Sequence, residues 1–287
     1  MSAASPRDRL FALIQQLLPT RLLSWGMYQL TRVEAAWFKN GFIRLFMRGF
    51  GIRLDEAERE RPEDYRHFND FFTRALKAGA RPLAPEPAFL CPVDGTLSQF
   101  GPVQSGRLIQ AKGHDYRVQD LLADPQLATE FVRGEFATLY LAPYNYHRIH
   151  MPVDARLREW RYVPGRLFSV NAATARAMPG LFARNERVIA TFDTDRGPLA
   201  MVLVGALFVG SIETVWAGQI SPPHRRAAWS RAERPGEPLA LPRGAEMGRF
   251  NMGSTVILLT GPGMVDWDQQ LESGRTVRMG EALGVLR

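Results

Sequence analysis

The spacing of apolar residues along the chain changes once, close to residue 89. Over residues 8–50 apolar side chains recur at helical spacing with arginine and lysine between them, and Pro19 divides the stretch into two helical segments. A shorter helical pattern covers residues 65–76, and a linker rich in alanine and proline covers residues 78–87. These patterns predict a helical N-terminal region.

After residue 89, short runs of β-branched and aromatic residues are separated by glycine, proline and aspartate. Such runs are typical of short strands joined by turns, which favour an antiparallel sheet or a barrel-like core. The predicted strands are 96–100, 107–111, 136–141, 156–163, 188–193, 199–212, 214–216, 256–259 and 276–279. We therefore predict an α+β fold, in which N-terminal amphipathic helices within residues 1–60 precede a mainly antiparallel, β-rich catalytic core over residues 61–287.

Composition limits the chemistry that the chain can support. With 287 residues, 46% of them hydrophobic and 23% charged, the chain can bury a large core. Its one cysteine, Cys91, excludes an intramolecular disulfide and fits a reducing compartment. The five histidines show no H-E-x-x-H spacing and there is no C-x-x-C pair, so no metal site is predicted. The longest apolar run, 199–212, is too short to span a bilayer, and no secretory signal is predicted.

Positive charge is concentrated at the N-terminus. Residues 1–54 hold eight basic and two acidic residues, which is +6 of the net charge of +7. Basic amphipathic helices with Trp and Phe on the apolar face suit an anionic membrane surface. The alternative is that these helices pack on the core and leave a solvated basic face. No nucleic-acid motif accompanies the charge, so no nucleic-acid partner is predicted.

A glycine and a hydroxyl stand together near the C-terminus, where Gly253-Ser254-Thr255 opens a β-branched run. Glycine lets the backbone bend, and the Ser254 hydroxyl can attack the carbonyl that precedes it. If the resulting ester is lost by β-elimination, the serine becomes a pyruvoyl group, an electrophile that no ordinary side chain provides. The alternative is a turn glycine followed by the first residue of a strand.

Three polar clusters precede this serine. In the segment 110–116, Lys112 and His114 stand next to a glycine and could contact an anion; the alternative is a solvated loop. Asp94 stands in an Asp-Gly pair at the start of a predicted strand, which by itself indicates only a turn. His147 and His150 follow another strand and stand three residues apart, so they can serve one site. The alternative is that one histidine packs in the core and the other is solvated.

Taken together, these segments resemble the phosphatidylserine decarboxylase proenzymes. The resemblance covers the chain from about residue 60 to its end and extends more loosely to the N-terminal helices. The matching motifs, in order, are Phe68-Asn-Asp-Phe-Phe-Thr-Arg74, Pro92-Val-Asp-Gly95, Gln110-Ala-Lys-Gly-His114, Tyr146-His-Arg-Ile-His-Met-Pro152, Gly210-Ser-Ile-Glu-Thr-Val215 and Phe250-Asn-Met-Gly-Ser-Thr255.

The resemblance implies a role for each matched residue. Cleavage would fall between Gly253 and Ser254, and Ser254 would be the nucleophile and then the precursor of the pyruvoyl group. His150 would take the serine proton, and Asp94 would orient and stabilise its ring. His147 would act in decarboxylation, beside the substrate carboxylate or as the proton source. Met252 replaces a leucine of many bacterial members, and Asn145 replaces an aspartate, which removes a charge near His147.

The products of cleavage would be a β chain, 1–253, and an α chain, 254–287, which stay associated. The resemblance implies a Schiff base between the substrate's amine and the pyruvoyl carbonyl, which draws electrons from the departing carboxylate without metal or pyridoxal phosphate. The enzyme would make phosphatidylethanolamine in phospholipid biosynthesis, as a peripheral protein at the cytoplasmic face of the cell membrane. A homodimer is compatible with this description.

Two other functions use the same residues. A serine hydrolase could employ Ser254, His150 and Asp94 without maturation, although no Gly-x-Ser-x-Gly elbow is present. A non-catalytic protein of the membrane surface could keep the fold without cleavage. The mass of the purified protein separates the three functions. Two chains, the shorter one carbonyl-reactive, indicate the decarboxylase. One chain that a fluorophosphonate labels indicates the hydrolase, and one inert chain indicates the non-catalytic protein.

Overall fold

The computed structural model describes residues 4–208, 211–222, 227–232, 239–252 and 254–287. Its helices, in chain order, are α1 (Pro6–Leu17), α2 (Thr20–Leu30), α3 (Ala36–Phe50), α4 (Phe68–Phe72), α5 (Val118–Leu122), α6 (Pro125–Ala128), α7 (Ala172–Ala177) and α8 (Leu181–Arg184), with a 3-10 turn at Pro62–Asp64. None of the helices in these ranges has the length and apolar composition needed to cross a bilayer.

The strands form a β-rich core that follows the N-terminal helices. They are β1 (Ala88–Leu90), β2 (Gly95–Pro102), β3 (Arg107–Ala111), β4 (His114–Arg117), β5 (Glu135–Tyr140), β6 (Arg148–His150), β7 (Ala155–Val163), β8 (Arg187–Thr194), β9 (Gly197–Val204), β10 (Ile212–Thr214), β11 (Gly218–Ser221), β12 (Trp229–Ala232), β13 (Ala240–Leu241), β14 (Glu246–Phe250), β15 (Thr255–Thr260), β16 (Val265–Trp267), β17 (Thr276–Val277) and β18 (Ala282–Leu286). The predicted α+β fold, with helices before an antiparallel β-rich core, is confirmed.

The largest sheet has nine strands and contains β15 near its middle. Its order is β12-β7-β8-β9-β15-β5-β2-β17, and β13 also pairs with β7. Smaller sheets have the orders β11-β10-β14-β6, β1-β18-β16 and β3-β4. All pairings between these strands are antiparallel. Two of the last strands of the chain, β15 and β18, therefore lie between strands that come earlier in the sequence.

Three helices, instead of the two predicted segments, precede the core. Pro19 stands at the start of α2 as expected, but a second break separates α2 from α3 without a proline. Ser5 caps α1 through a reciprocal pair of hydrogen bonds with Asp8, and α3 ends at Gly51, whose φ of 65° suits glycine. The helix predicted over 65–76 is limited to α4, because Thr73 already closes it by donating to the Asn69 carbonyl.

The prediction of one strand over 199–212 was wrong. β9 ends at Val204 and β10 begins at Ile212 in a different sheet. The chain leaves the large sheet at Gly205, where the backbone donates to the Glu186 carbonyl and accepts from the Asn185 side chain. Helices α5 to α8 were not predicted, although Asp124 before a proline and Asn171 cap two of them in the ordinary way.

Two hydrophobic clusters meet beside the Gly-Ser-Thr segment. The larger cluster fills the space around the sheets, and a smaller one joins α3 to α4 through Ile43, Phe68, Phe71 and their neighbours. Met252 packs against both clusters. The conformation before Ser254 is therefore coupled to the packing of the helices as well as that of the sheet.

Helix α1 contacts the core through polar side chains. Gln15 is buried, its amide donates to the Thr174 hydroxyl at 3.1 Å, and its carbonyl accepts from the Ser169 backbone at 2.6 Å. Asp8 pairs with Arg176 of α7. The apolar side chains of α1, including Leu13 and Leu17, are exposed on its other face.

We predict that Gln15→Ala loosens α1 without unfolding the sheet. The substitution leaves the Ser169 N–H without its acceptor and removes one of the two hydrogen bonds of the Thr174 hydroxyl, at a cost of about 1–3 kcal/mol. Amide hydrogen exchange should rise in α1 and α7 and stay unchanged in β15. Gln16→Ala is the matched control, because Gln16 is the same residue type, adjacent and exposed. Equal exchange in the two variants would contradict this account of how α1 is held.

Candidate active site

Ser254 directly precedes β15, a strand whose six residues are all buried. Its backbone carbonyl accepts from Leu141 at 2.8 Å, and the next residue, Thr255, pairs with Tyr140 of β5 and Val204 of β9. The Ser254 side chain is fully buried, and among the described residues its hydroxyl has no hydrogen-bond partner. A buried hydroxyl without a partner costs stability, so its presence calls for an explanation.

The chain before the serine is also held in place. The Asn251 backbone donates to the Ser211 carbonyl at 3.0 Å, and the Asn251 amide donates to the Ser211 hydroxyl at 2.7 Å and accepts from Asn69 at 3.1 Å. The Phe250 backbone donates to the His147 carbonyl at 3.1 Å. Gly253, the other half of the predicted cleavage site, lies outside the described residues. The backbone is thus fixed on both sides of it.

His147 is a buried, neutral base with an available lone pair. Its Nδ1 lies 2.8 Å from the Asn145 carbonyl, which can only accept, so the proton sits on Nδ1 and Nε2 carries the lone pair. Among the described residues Nε2 has no partner, and the Phe72 ring lies against the imidazole, tilted by 38°, with centroids 4.1 Å apart. Burial lowers the pKa of His147 to about 3, and the nearby Arg74 charge contributes to this shift.

His150 is also neutral, but both its nitrogens have partners. Nδ1 donates to the Gly244 carbonyl at 2.8 Å, and Nε2 accepts from the Tyr146 hydroxyl at 2.9 Å. Burial lowers the pKa of His150; the bond to Gly244 and the charges of Glu246 and Asp94 oppose this shift without reversing it.

The Asp94 carboxylate is engaged by an arginine. It accepts from Arg81 at 2.6–3.1 Å and from the Met279 backbone at 2.9 Å. Arg81 also pairs with Glu56. The main chains of the two predicted partners are close, since the His150 backbone donates to the Pro92 carbonyl at 2.9 Å. The Asp94 carboxylate therefore influences His150 through its charge and not through a hydrogen bond.

The structure brings the predicted residues into one region. His147 lies just before β6 and His150 ends that strand, Asp94 lies just before β2, and Ser254 lies just before β15. Within the described part of the chain, no hydrogen bond joins the side chains of these four residues. The two buried atoms among them without partners are the Ser254 hydroxyl and His147 Nε2.

A cavity of about 460 Å³ borders this region. Its wall includes Asp94, Asn145 and Tyr146 from the site, and Phe50 and Arg53 from the end of α3. Neither Ser254 nor His147 belongs to its lining. In the described ranges, no group of three or more His, Cys, Asp or Glu side chains could hold a metal ion.

Sequence analysis missed three contacts around the site. Arg81 falls in a stretch that was interpreted as a linker, so its bond to Asp94 had no signal in the pattern. Tyr146 and Asn251 belong to recognised motifs, but their hydrogen bonds to His150 and Ser211 depend on the tertiary fold. A sequence motif can indicate that a residue is functional, but it does not show which residues that side chain contacts.

Comparison with known proteins agrees with the arrangement of the site. The family model described as phosphatidylserine decarboxylase matches residues 68–285, and one described as PSD matches residues 10–51. The chain is 54% identical to a phosphatidylserine decarboxylase proenzyme of Pseudomonas fluorescens over 282 residues, 97% of this chain and 98% of the relative. It is 53% identical to the proenzyme of that name from Pseudomonas aeruginosa, over 97% of this chain and 98% of the relative.

We predict that His147 makes the fold sensitive to acid. The unfolded chain binds a proton at this histidine near pH 6.5, and the folded chain only near pH 3. Between these values the unfolded state holds more protons, so the free energy of unfolding falls as the pH falls, by up to about 1.4 kcal/mol per pH unit for one group.

Chemical denaturation at pH 7.5, 6.0 and 5.0 tests this, with Ser254→Ala as the common background of both proteins. His147→Gln should flatten the decline between pH 6 and 5 by about 1 kcal/mol per pH unit relative to its parent. Parallel pH profiles of the two proteins would show that His147 titrates normally in the fold.

Proposed function

The chain belongs to the phosphatidylserine decarboxylase family, and we propose that it matures by cutting its own backbone between Gly253 and Ser254. Its activity is the decarboxylation of phosphatidylserine. The observation that carries the proposal is the Ser254 hydroxyl, buried without a partner at the start of β15 and directly after a chain segment that Asn251 holds in place.

Self-cleavage needs only the residues of the site and water. The Ser254 hydroxyl adds to the Gly253 carbonyl, its proton passes to a base, and an ester replaces the amide bond. Elimination of that ester releases the carboxylate end of residues 1–253. Water then converts the new end of residues 254–287 into a pyruvoyl group with loss of ammonia.

We assign the base of this reaction to His150, with Asp94 as the charge that supports it. His150 is neutral and its lone pair is on Nε2, as a base requires. The Tyr146 hydroxyl occupies that lone pair, so transfer requires Tyr146 to move or to relay the proton. His147, whose Nε2 is free of partners, is the second candidate for the base and our assignment for proton transfer during decarboxylation.

The site fits a pyruvoyl group at Ser254. The position is buried and lacks any polar partner for the hydroxyl that maturation would consume. When formed, the group supplies a carbonyl that condenses with the substrate's amine and accepts the electrons left by CO₂. The imidazole of His147 and the Phe72 ring against it are both buried. No metal or pyridoxal phosphate is part of this proposal.

The two products of cleavage would stay together through the sheets. Residues 255–260 pair along their whole length with β5 on one side and with β9 on the other. β17 pairs with β2, and β18 pairs with β1, across the same division of the chain. A chain of residues 254–287 would therefore remain embedded between strands of the chain 1–253.

The N-terminal helices favour a place on a membrane surface. They bury polar side chains, such as Gln15 and Ser24, and expose large apolar ones: Trp37 is 81% exposed and Leu17 is 80% exposed. This reverses the usual arrangement of a surface helix. With +6 of net charge in residues 1–54, the exposed face suits anionic lipid. We propose a peripheral enzyme at the cytoplasmic face of the cell membrane, where the free Cys91 thiol fits a reducing compartment, making phosphatidylethanolamine for phospholipid synthesis.

We predict that Ser254→Ala gives one uncleaved, inactive chain, because no oxygen is left to attack Gly253. Thr255→Val is the matched control, since Thr255 also carries a buried hydroxyl without a partner and should be dispensable for cleavage. Intact mass and gel analysis report both. Two chains from Ser254→Ala, or none from a folded Thr255→Val protein, would contradict the assignment of the nucleophile.

The same readout separates the two histidines. His150→Ala and Asp94→Asn should slow cleavage by roughly 10²–10⁴-fold, the usual worth of a general base. His147→Ala should mature and then decarboxylate slowly. If His150→Ala matures normally while His147→Ala does not, the unpartnered His147 is the base and the two roles are exchanged.

We predict that exposed apolar residues, and not charge alone, hold the enzyme on lipid. Leu17→Ala and Trp37→Ala should each weaken binding to anionic vesicles by roughly tenfold, since burying a large apolar side chain contributes about 1.5–3 kcal/mol. High salt should weaken binding without abolishing it. Gln16→Ala, a polar position on α1, is the control. Unchanged co-sedimentation of both apolar variants would place lipid contact elsewhere.

A further inference from the structure

Arg74 is a buried guanidinium without an acidic partner in the described part of the chain. Its residue surface is 7% exposed. Its hydrogen bond goes to the Tyr144 backbone carbonyl at a long 3.4 Å, and its guanidinium carbon lies 5.5 Å from the centre of the Phe71 ring. A buried charge of this kind is costly unless an anion joins it.

The carboxylates nearest to Arg74 are already engaged by another arginine. Asp94 and Glu56 are both close enough to influence it electrostatically, yet both form their ion pairs with Arg81. Arg81 is thereby neutralised by two acids while Arg74 has none. Arg74 keeps most of its five N–H donors available for a ligand.

These donors belong to the wall of the 460 Å³ cavity. Phe50 and Tyr144 also line it, with ring centres 6.3 Å apart, and both are about half exposed, so they belong to its solvent-facing edge. Arg74 also lies close enough to His147 to lower its pKa. An anion held by Arg74 would therefore stand between the open edge of the cavity and the buried histidine.

We propose that Arg74 binds the phosphodiester of the phosphatidylserine headgroup. The inference rests on the proposed function and adds the site that recognises its substrate. A planar guanidinium fork matches two phosphate oxygens, and charge-assisted bonds of this type are among the stronger contacts that proteins make. With the phosphodiester at Arg74, the half-exposed rings of Phe50 and Tyr144 would face the glycerol of the lipid.

The reaction itself favours the phosphate over the carboxylate as the ligand of Arg74. The carboxylate loses its negative charge as it becomes CO₂, so a cation beside it would stabilise the substrate more than the transition state and slow the reaction. The phosphodiester keeps its charge throughout. Binding energy from this remote group can position the substrate without opposing the bond cleavage.

The test compares Arg74→Gln and Arg74→Lys with Arg278→Gln in full-length protein. Arg278 lines the same cavity but is mostly exposed and paired with Glu56, so its substitution removes an equal charge without removing the proposed ligand. Short-chain, monomeric dihexanoyl phosphatidylserine is the substrate, which removes vesicle binding from the measurement. Maturation into two chains is checked first by intact mass.

Arg74→Gln should raise KM about tenfold to a hundredfold, with a smaller change in kcat, and Arg74→Lys should fall in between. Inhibition by glycerophosphoethanolamine, which has the phosphate and no carboxylate, should weaken by the same factor. Arg278→Gln should change both constants less than about threefold. In the wild type, glycerophosphoethanolamine should inhibit at least about tenfold more strongly than ethanolamine.

Each contrary result overturns a distinct statement. Equal inhibition of Arg74→Gln and wild type by glycerophosphoethanolamine, with a raised KM for substrate, would assign Arg74 to the carboxylate. An unchanged KM would remove Arg74 from substrate binding. If the Arg74 variants do not mature, equal inhibition of the wild type by ethanolamine and glycerophosphoethanolamine overturns the phosphate site by itself. A wild type that stays uncleaved or inactive would overturn the proposed function instead.

Discussion

The pairing of β15 with strands on both sides is the constraint on which the site depends. Six residues, 255–260, are held in register by β5 and by β9, and all six are buried. Ser254 precedes them directly and is anchored through its own carbonyl to Leu141. A reactive serine in a loop would lose its position once the chain was cut. Here the strand that follows the serine belongs to the centre of the sheet, so its position depends on the whole core and not on an intact bond to Gly253.

Burial is the second constraint, and it decides the protonation state of the site. Both histidines are kept neutral, because a charged imidazole would have to leave water without an anion to receive it. The two acids that could stabilise such a charge at His150 already have partners: Asp94 accepts hydrogen bonds from Arg81 and a backbone amide, and Glu246 pairs with Arg148. The arrangement therefore favours histidines that are neutral at rest and accept a proton only transiently. It disfavours a permanent ion pair between a charged histidine and Asp94. Ser254 and His147 each keep a buried polar atom without a partner among the described residues, as the proposed reaction steps require.

The sequence was sufficient for the class of fold, for the succession of helices by a β-rich core and for the family. Short runs of β-branched and aromatic residues predicted β5 and β7 nearly to their ends, because the composition of a buried strand is visible locally. The sequence was not sufficient at Gly205. There the chain leaves the sheet where its backbone bonds to Asn185 and Glu186, and Asn185 lies 20 residues earlier in the sequence. The same limit applies to the site. Motifs pointed to Asp94 and the histidines, whereas the Arg81 and Tyr146 bonds arise only when separate segments meet.

The N-terminal helices connect the proposed membrane surface with the cavity. Helix α3 packs inward through Ile43 on the cluster that contains Phe68 and Phe71, and its other face exposes apolar side chains, Trp37 among them. Its C-terminal end, at Phe50, forms part of the cavity wall. In the proposed orientation, α3 would meet lipid on its outer face and shape the cavity where it ends. A substrate that remains in a bilayer can bring only its headgroup to the enzyme, so the cavity would open at the level of the lipid surface. The exposed apolar side chains of the N-terminal helices would set that level.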